Sequence, residues 1–454
     1  MQVTKTKAKK FKGRKTQPTR PAGAKAKPTR RRNRAGTEGR LSMINRRTLL
    51  GTAGAGVALA GSGLALPRLI GREAAAQTLA LATALPEGLR ETANLDTLPG
   101  KRPLIKLSYR PPNYESPVEY LRTAITPNNE FFVRYHLSDI PRVDAKTWRL
   151  AVGGDGANGQ ATLDLDELRR LPAVEVTAVC QCSGNRRGLF QPHVPGVEWG
   201  YGAMGCAKWK GARLKDVLDK AGLKKETIEV AFNGADGPTL DKTPHFVKSL
   251  PVWKAIEETT LVAYEMNGEP LPHWNGFPAR LVVPGWTGTY WMKHLVSINA
   301  VTKPFDGFWM KSAYRIPVGK FPIVARFISQ ETAVNTPITE CVVNSLITTH
   351  ADGAAVKAGA RVNVGGIAWD GGYGIRTVEV SVDGGKTWAE ATLGPDAGKY
   401  ALRIWSFHFT PPRGRSKVMA RATNAIGQGQ TTALILNPAG YHHNVVQTVT
   451  LVAA

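Results

Sequence analysis

The sequence predicts an α+β chain in two parts: a mixed α+β domain over residues 110–325, then an immunoglobulin-like β-sandwich over residues 326–454. Three observations lead there. Up to about residue 325, helix-like and strand-like stretches interleave without βαβ regularity, which points to a mixed domain rather than a doubly wound one. From about Glu331 the chain breaks into short alternating strands separated by turns such as Asp383-Gly384-Gly385-Lys386, the pattern of an antiparallel sandwich. The first 76 residues, by contrast, have a composition that no packed domain shares.

Residues 1–40 hold fifteen Lys or Arg against one acidic residue, Glu38, and show no apolar periodicity. Residues 1–42 are therefore expected to form a basic extension that cannot bury enough surface to order itself. Asn45-Arg46-Arg47-Thr48-Leu49-Leu50 and the uncharged run from Thr48 to Pro67 follow. Paired arginines before a short Gly/Ala-rich stretch are the layout of a twin-arginine (Tat) signal, assigned to residues 43–76, with Ala74-Ala75-Ala76 as cleavage site. A membrane anchor is the alternative reading of the same run, and Met43 is a natural initiator. The expected destination is the periplasm, reached through the Tat export machinery. Most of the formal charge of +25 lies in these segments, and residues 77–454 carry only +8, from 41 basic and 33 acidic side chains. A mildly basic mature chain suits an anionic substrate or an acidic partner face, and gives no reason to invoke nucleic acid. Four cysteines are too few to staple a scaffold, and no Cys-x-x-Cys-His haem motif or Rossmann fingerprint is present.

Residues 77–109 read as a Pro-punctuated arm. Ser116-Pro117-Val118-Glu119 predicts a capped short helix, and Phe131–His136 a strand whose alternation puts Arg134 and His136 on one face. Trp148–Val152 predicts a strand and Asp164–Leu171 a helix. Ala212–Gly222 reads as an amphipathic helix with Leu214, Val217, Leu218 and Ala221 buried and Gly222 ending it. In the second domain, strands are expected at 361–364, 377–382, 387–393, 405–409 and 417–420.

The stretch with chemistry is Val179-Cys180-Gln181-Cys182-Ser183-Gly184-Asn185-Arg186-Arg187-Gly188. An apolar run from Val174 to Val179 reads as a strand that delivers Cys182 to its end, and Ser-Gly-Asn turns the chain into two arginines. A thiolate is a soft metal ligand, and arginine grips an oxyanion with paired hydrogen bonds. Together on one tight loop they suggest metal chemistry on a small oxyanion, the plain alternative being a buried apolar thiol beside solvated arginines.

The six residues Cys182–Arg187 resemble the Cys-(Ser/Ala)-Gly-Asn-Arg-Arg signature of the sulfite oxidase family of molybdenum enzymes. Phe132-Val133-Arg134-Tyr135-His136, the blocks 261–272 and 276–285, and Trp291-Met292-Lys293 resemble the same family. The resemblance implies molybdenum held by molybdopterin and ligated by Cys182. It implies that Arg134 and Arg187 grip sulfite, with Tyr314 as an active-site tyrosine. The pterin and its phosphate would be held by Arg134, His136, Asp236, Asn275, Arg280, Trp291, Met292 and Lys293. The sandwich would form a homodimer, and electrons would pass to an external c-type cytochrome, either a subunit or a separate acceptor. Two departures stand out: Asn275 replaces a histidine of the animal enzymes, and Ala439 stands where they carry a third pocket arginine, with His442 or His443 as candidate substitutes. Rival readings are another molybdenum oxotransferase, reducing nitrate or a sulfoxide, and a non-catalytic exported binding module.

Overall fold

Cys182 follows a nine-residue strand, Ala173–Gln181, in a computed structural model that describes residues 94–319 and 333–454. The basic extension, the signal region, the arm up to residue 93 and the expected domain boundary at 325/326 lie outside the described residues. The strand pairs antiparallel along its length with Met204–Arg213, from Ala173↔Ala212 to Gln181↔Met204. Met204–Arg213 pairs in turn with Leu261–Met266, which carries the short strands Glu269–Pro270 and Arg280–Val282. The contact is close: a Cβ on Gly211 would lie 2.2 Å from the Val262 carbonyl oxygen, so only glycine fits there.

A second five-stranded sheet runs Val247–Pro251, Glu229–Gly234, Leu295–Val301, Leu150–Gly153, Ala161–Leu163. One hydrophobic cluster joins the two sheets, with Val152, Val230 and Ile298 packed with Trp209, Val262 and Leu281. A smaller four-stranded sheet ends in Val133–Arg134, so Arg134 sits on a sheet edge beside Asn113.

Helices are fewer and shorter than the sequence patterns suggest. Ala212 and Arg213 belong to the strand that pairs with residues 173 and 261, leaving a helix of only Leu214–Leu218. Its buried stripe is as expected: Leu214, Val217, Leu218 and Ala221 are all buried, and Gly222 closes the turn at φ +67°. The helix expected over 164–171 is Leu165–Arg169, capped reciprocally by Asp164 and Glu167. At Ser116 the capping box is absent. The hydroxyl donates to the Glu130 carbonyl instead, and Val118–Leu121 is a 3₁₀ turn. The strand expected over 131–136 shrinks to Val133–Arg134, because only Tyr114 and Asn113 offer it partners.

The second domain consists of a four-stranded and a five-stranded sheet over a shared core that includes Ile347, Val364, Trp405, Val378, Val418 and Val449. The pairing is antiparallel except at Ala354–Val356, which runs parallel to the C-terminal strand Gln447–Ala453. Arg186 ties this domain to the first. Its buried guanidinium donates to the Ser345 carbonyl at 2.8 Å and faces the rings of Tyr201 and Trp369.

Candidate active site

The cysteine loop is laid on the segment Trp199–Ala203. Cys182 N–H donates to the Ala203 carbonyl, Arg186 N–H to Gly200, and Gly188 N–H to Trp199, each at 2.8–2.9 Å. The side chain of Asn185 closes the pairing by accepting from Ala203 N–H at 3.0 Å. Arg186 takes φ +68°, a conformation that costs a non-glycine residue about 1–2 kcal/mol.

Cys182 opens into a cavity with about 650 Å³ of empty space, open solvent at its mouth included, lined by residues from seven separate stretches of the first domain. Ten of the eleven residues singled out above line it: Arg134, His136, Cys182, Asp236, Asn275, Arg280, Trp291, Met292, Lys293 and Tyr314. Cys180 lines it too, and all four cysteines are free thiols. Burial pushes the Cys180 thiol up to about 11, so it stays protonated at neutral pH.

Tyr314 gathers the reactive end. Its hydroxyl bonds to His136 Nε2 and lies 3.5 Å from Arg134 Nη2. Burial, and then the nearby charges of Arg134, Lys293 and Lys248, hold His136 well below its ordinary pKa, so the imidazole is neutral. Burial raises Tyr314 above the usual phenol range despite the opposing Arg134 charge, so the phenol keeps its proton. Tyr314 has φ +58° and is held there by Ile338 N–H donating to its carbonyl at 2.8 Å. The fully buried Lys248 spans the rings of Tyr290 and Tyr314 and donates to the Trp309 carbonyl at 2.7 Å.

The other end is cationic. The Arg280 guanidinium donates to the carbonyls of Asn275 and Trp291 and lies over the rings of Trp209 and Trp291. Lys293 is half-buried beside it and donates to the Trp274 carbonyl at 3.2 Å. Burial and Arg280 hold the Lys293 ammonium well below the usual lysine range, and Asp236 opposes them. Burial pushes Asp236 up. Among the described residues, the buried Nε atoms of Arg134 and Arg280 and the Thr289 hydroxyl have no hydrogen-bond partner. Unpaired buried donors around a cation-rich cavity are what an anionic, polar-edged ligand would satisfy.

Arg187 is the exception. It does not line the cavity. Its Nε and Nη2 donate to the Ala439 carbonyl at 3.2 and 3.1 Å, and Nη1 to Val197 at 3.2 Å. Gly184 makes room for it, since a Cβ there would lie 2.5 Å from Nη1. Its guanidinium lies 5.1 Å from the ring of Tyr441, which stacks on Tyr314 at 5.7 Å and 10°. His443 does not replace the missing third arginine: it packs on Phe190, and burial with Arg186 nearby holds it neutral, down to about 3. Sequence reasoning also missed Lys101, Lys248 and Tyr441, which come from segments without local pattern.

Residues 136–309 match the model of the oxidoreductase molybdopterin binding domain, and residues 335–452 that of the Mo-co oxidoreductase dimerisation domain. The chain is 34% identical to the sulfite oxidase of Arabidopsis thaliana over 327 residues, 69% of this chain and 81% of that protein. The chain belongs to the sulfite oxidase family of molybdopterin oxidoreductases. The mitochondrial sulfite oxidase of Mus musculus is 38% identical over 327 residues, 69% of this chain but 58% of that longer protein. The chain thus spans less than two thirds of the length of the mitochondrial enzymes it resembles. In fold, it is similar to the sulfane dehydrogenase SoxCD of Paracoccus pantotrophus (TM-score 0.67, 24% identity, 86% of this chain and 97% of that one). The cavity residues fit the family's cofactor: a free thiol for the metal, and buried cations and unpaired donors for the pterin and its phosphate.

Proposed function

We propose that this chain is the catalytic subunit of an exported sulfite dehydrogenase, which converts sulfite and water to sulfate, two protons and two electrons. The observation that carries the reading is the convergence of Arg134, His136 and Tyr314 in the cavity that holds the Cys182 thiol. Molybdenum bound by molybdopterin supplies the oxygen-atom transfer and accepts the electron pair. Cys182 would ligate the metal as a thiolate. Arg280, Lys293, Asn275, Asp236, Trp291 and Met292 would hold the pterin, with His136.

Arg134 is the substrate-facing cation in this reading. Its Nη1 is tied to Asn113 and to the Tyr135 carbonyl, which fixes the fork and leaves the buried Nε free to meet an anion. Tyr314 keeps its proton and would donate a hydrogen bond toward substrate oxygen, while neutral His136, as the Nε2–H tautomer, would donate to the Tyr314 oxygen and orient it. Arg187 acts from behind, by holding Tyr441 against Tyr314. The second domain would form a homodimer, as its family description suggests. Electrons would leave to a c-type cytochrome in the periplasm, after Tat export.

The test is sulfite-dependent reduction of cytochrome c by the molybdenum-loaded mature protein, with Cys182→Ser as control. Reduction that the control lacks supports the reading. A metal-loaded protein inert to sulfite with both cytochrome c and an artificial acceptor would sink it. Ala439, neutral where a third arginine is expected, would then direct the search to less charged substrates.

A further inference from the structure

Lys101 is a lysine in the wrong place for a surface residue. It is buried to 6% exposure, in the turn between the strands Asn94–Asp96 and Leu104–Ser108, and forms no ion pair among the described residues. Its ammonium donates to the Asn128 carbonyl at 2.6 Å and to Asn275 Oδ1 at 2.7 Å. A buried cation without a carboxylate is costly, and chains keep one only where something offsets the cost. Asn275 is the position where the family's animal members carry histidine, and it lines the cavity beside Arg280 and Lys293.

The geometry leaves little freedom. An ammonium has donors only, so Asn275 must turn its oxygen toward Lys101. Its NH₂ group then faces away from Lys101, and that nitrogen has no partner among the described residues. A side-chain amide on its own can present either end. With Lys101 in place it presents a donor, the end an anionic group needs. Burial pushes the Lys101 ammonium down to about 7, and an anion bound beside it would favour the charged form again.

We propose that Lys101 is a cofactor-positioning residue, which locks the Asn275 amide as a donor to the anionic end of the pterin cofactor and adds positive charge there. The Lys101–Asn275 pair does together what a single cationic or donor side chain at position 275 would do alone. The inference rests on the cavity holding molybdopterin and does not depend on which substrate is oxidised.

The experiment uses the full mature holoprotein and three variants: Lys101→Met, Lys101→Arg, and Lys101→Met with Asn275→His. The readouts are molybdenum per protein, pterin released into the filtrate over time, and the melting temperature of the cofactor-free form. Lys101→Met should release cofactor about 10–100-fold faster, the usual cost of losing a residue that orients a ligand's direct contact. Its cofactor-free melting temperature should not fall, because the buried charge has gone. Arginine at position 101, and independently the added Asn275→His change, should restore retention. Retention at the parent rate in Lys101→Met overturns the proposal. So does a loss of cofactor that tracks a lower melting temperature and that neither rescue repairs, since that is the signature of mere packing. If Lys101→Met does not fold, Asn275→Asp decides: it keeps an acceptor for Lys101 and removes the amide donor, and it must release cofactor as fast. Sulfite turnover enters none of these readouts, so a failed substrate assignment leaves them interpretable.

Discussion

Glu115 lies under the cysteine loop, and its removal as a titrating group should stabilise the protein at neutral pH. The carboxyl is 1% exposed and accepts from Gly200 N–H at 2.8 Å and from Gly202 N–H. Those glycines belong to the segment that supports Cys182, Arg186 and Gly188. Burial raises the carboxyl from 4.5 to about 8, and the two backbone bonds only partly oppose it. Below 4.5 the folded and unfolded chains are both protonated, and the full stability is present. Between 4.5 and 8 the unfolded chain releases the proton and the folded chain keeps it, so stability falls as pH rises, by about 1.4 kcal/mol per unit. From pH 5 to 7.5 that amounts to about 3 kcal/mol. Above 8 both states are ionised and the slope ends.

Glu115→Gln keeps a carbonyl for the glycine N–H groups and removes the proton. Its amide brings an extra buried donor, worth about 1 kcal/mol against it if unpaired. The variant should therefore be slightly less stable than the parent at pH 5 and about 2 kcal/mol more stable at pH 7.5. Melting temperatures of both proteins from pH 4.5 to 8.5 would show crossing curves, with a gap of a few degrees at pH 7.5. Other groups titrate in both proteins and cancel in the difference. Parallel curves would refute the reasoning, because they would mean that Glu115 ionises alike in both states.

Tyr314→Phe should lower kcat/KM for sulfite about 10–100-fold, because it removes the hydroxyl that donates toward substrate oxygen; steady-state kinetics measures the loss. Gly211→Ala should lower the melting temperature sharply, as its methyl would meet the Val262 oxygen at 2.2 Å and force two core strands apart. Arg186→Leu leaves the Ser345 carbonyl unpaired in the interior and should cost about 2–4 kcal/mol. Calorimetry should then resolve the single unfolding endotherm into two, since that guanidinium bridges the two domains.

The cysteine loop was legible because its signature is local, a strand, a three-residue turn and a run of six matching residues, although Trp199–Ala203 supports it from outside that run. The buried stripe of Leu214, Val217 and Leu218 was legible for the same reason, while the helix around it was not. Periodicity at 3.6 residues cannot see that Ala212 and Arg213 are already claimed by strand partners at 173 and 261. The site's cations divide in the same way. Arg134 and His136 alternate within one short stretch, and Arg280 and Lys293 sit in blocks that resemble the family. Lys101 sits between Gly100 and Arg102, and Lys248 in the strand Val247–Pro251, and only burial by distant segments distinguishes them from solvated lysines.

Arg187 shows the limit most clearly. The six-residue match places its backbone, and Arg187 N–H donates to the Gly184 carbonyl at 2.9 Å, as the tight turn requires. Where its side chain goes is settled 252 positions later, by the Ala439 carbonyl. A methyl at position 439 leaves that carbonyl approachable, and Gly440 at φ +62° lets the chain turn so that Tyr441 lies on the guanidinium. Asn437 fixes the turn by accepting from Tyr441 N–H and donating to its carbonyl. An arginine at position 439 would bring a second guanidinium close to the first, and like charges in a low dielectric would drive one of them toward the cavity. The alanine therefore does more than delete a cation. It leaves the position 439 carbonyl open to Arg187, which is held in the domain interface, and on the proposed reading Arg134 is then the cation left to face the substrate.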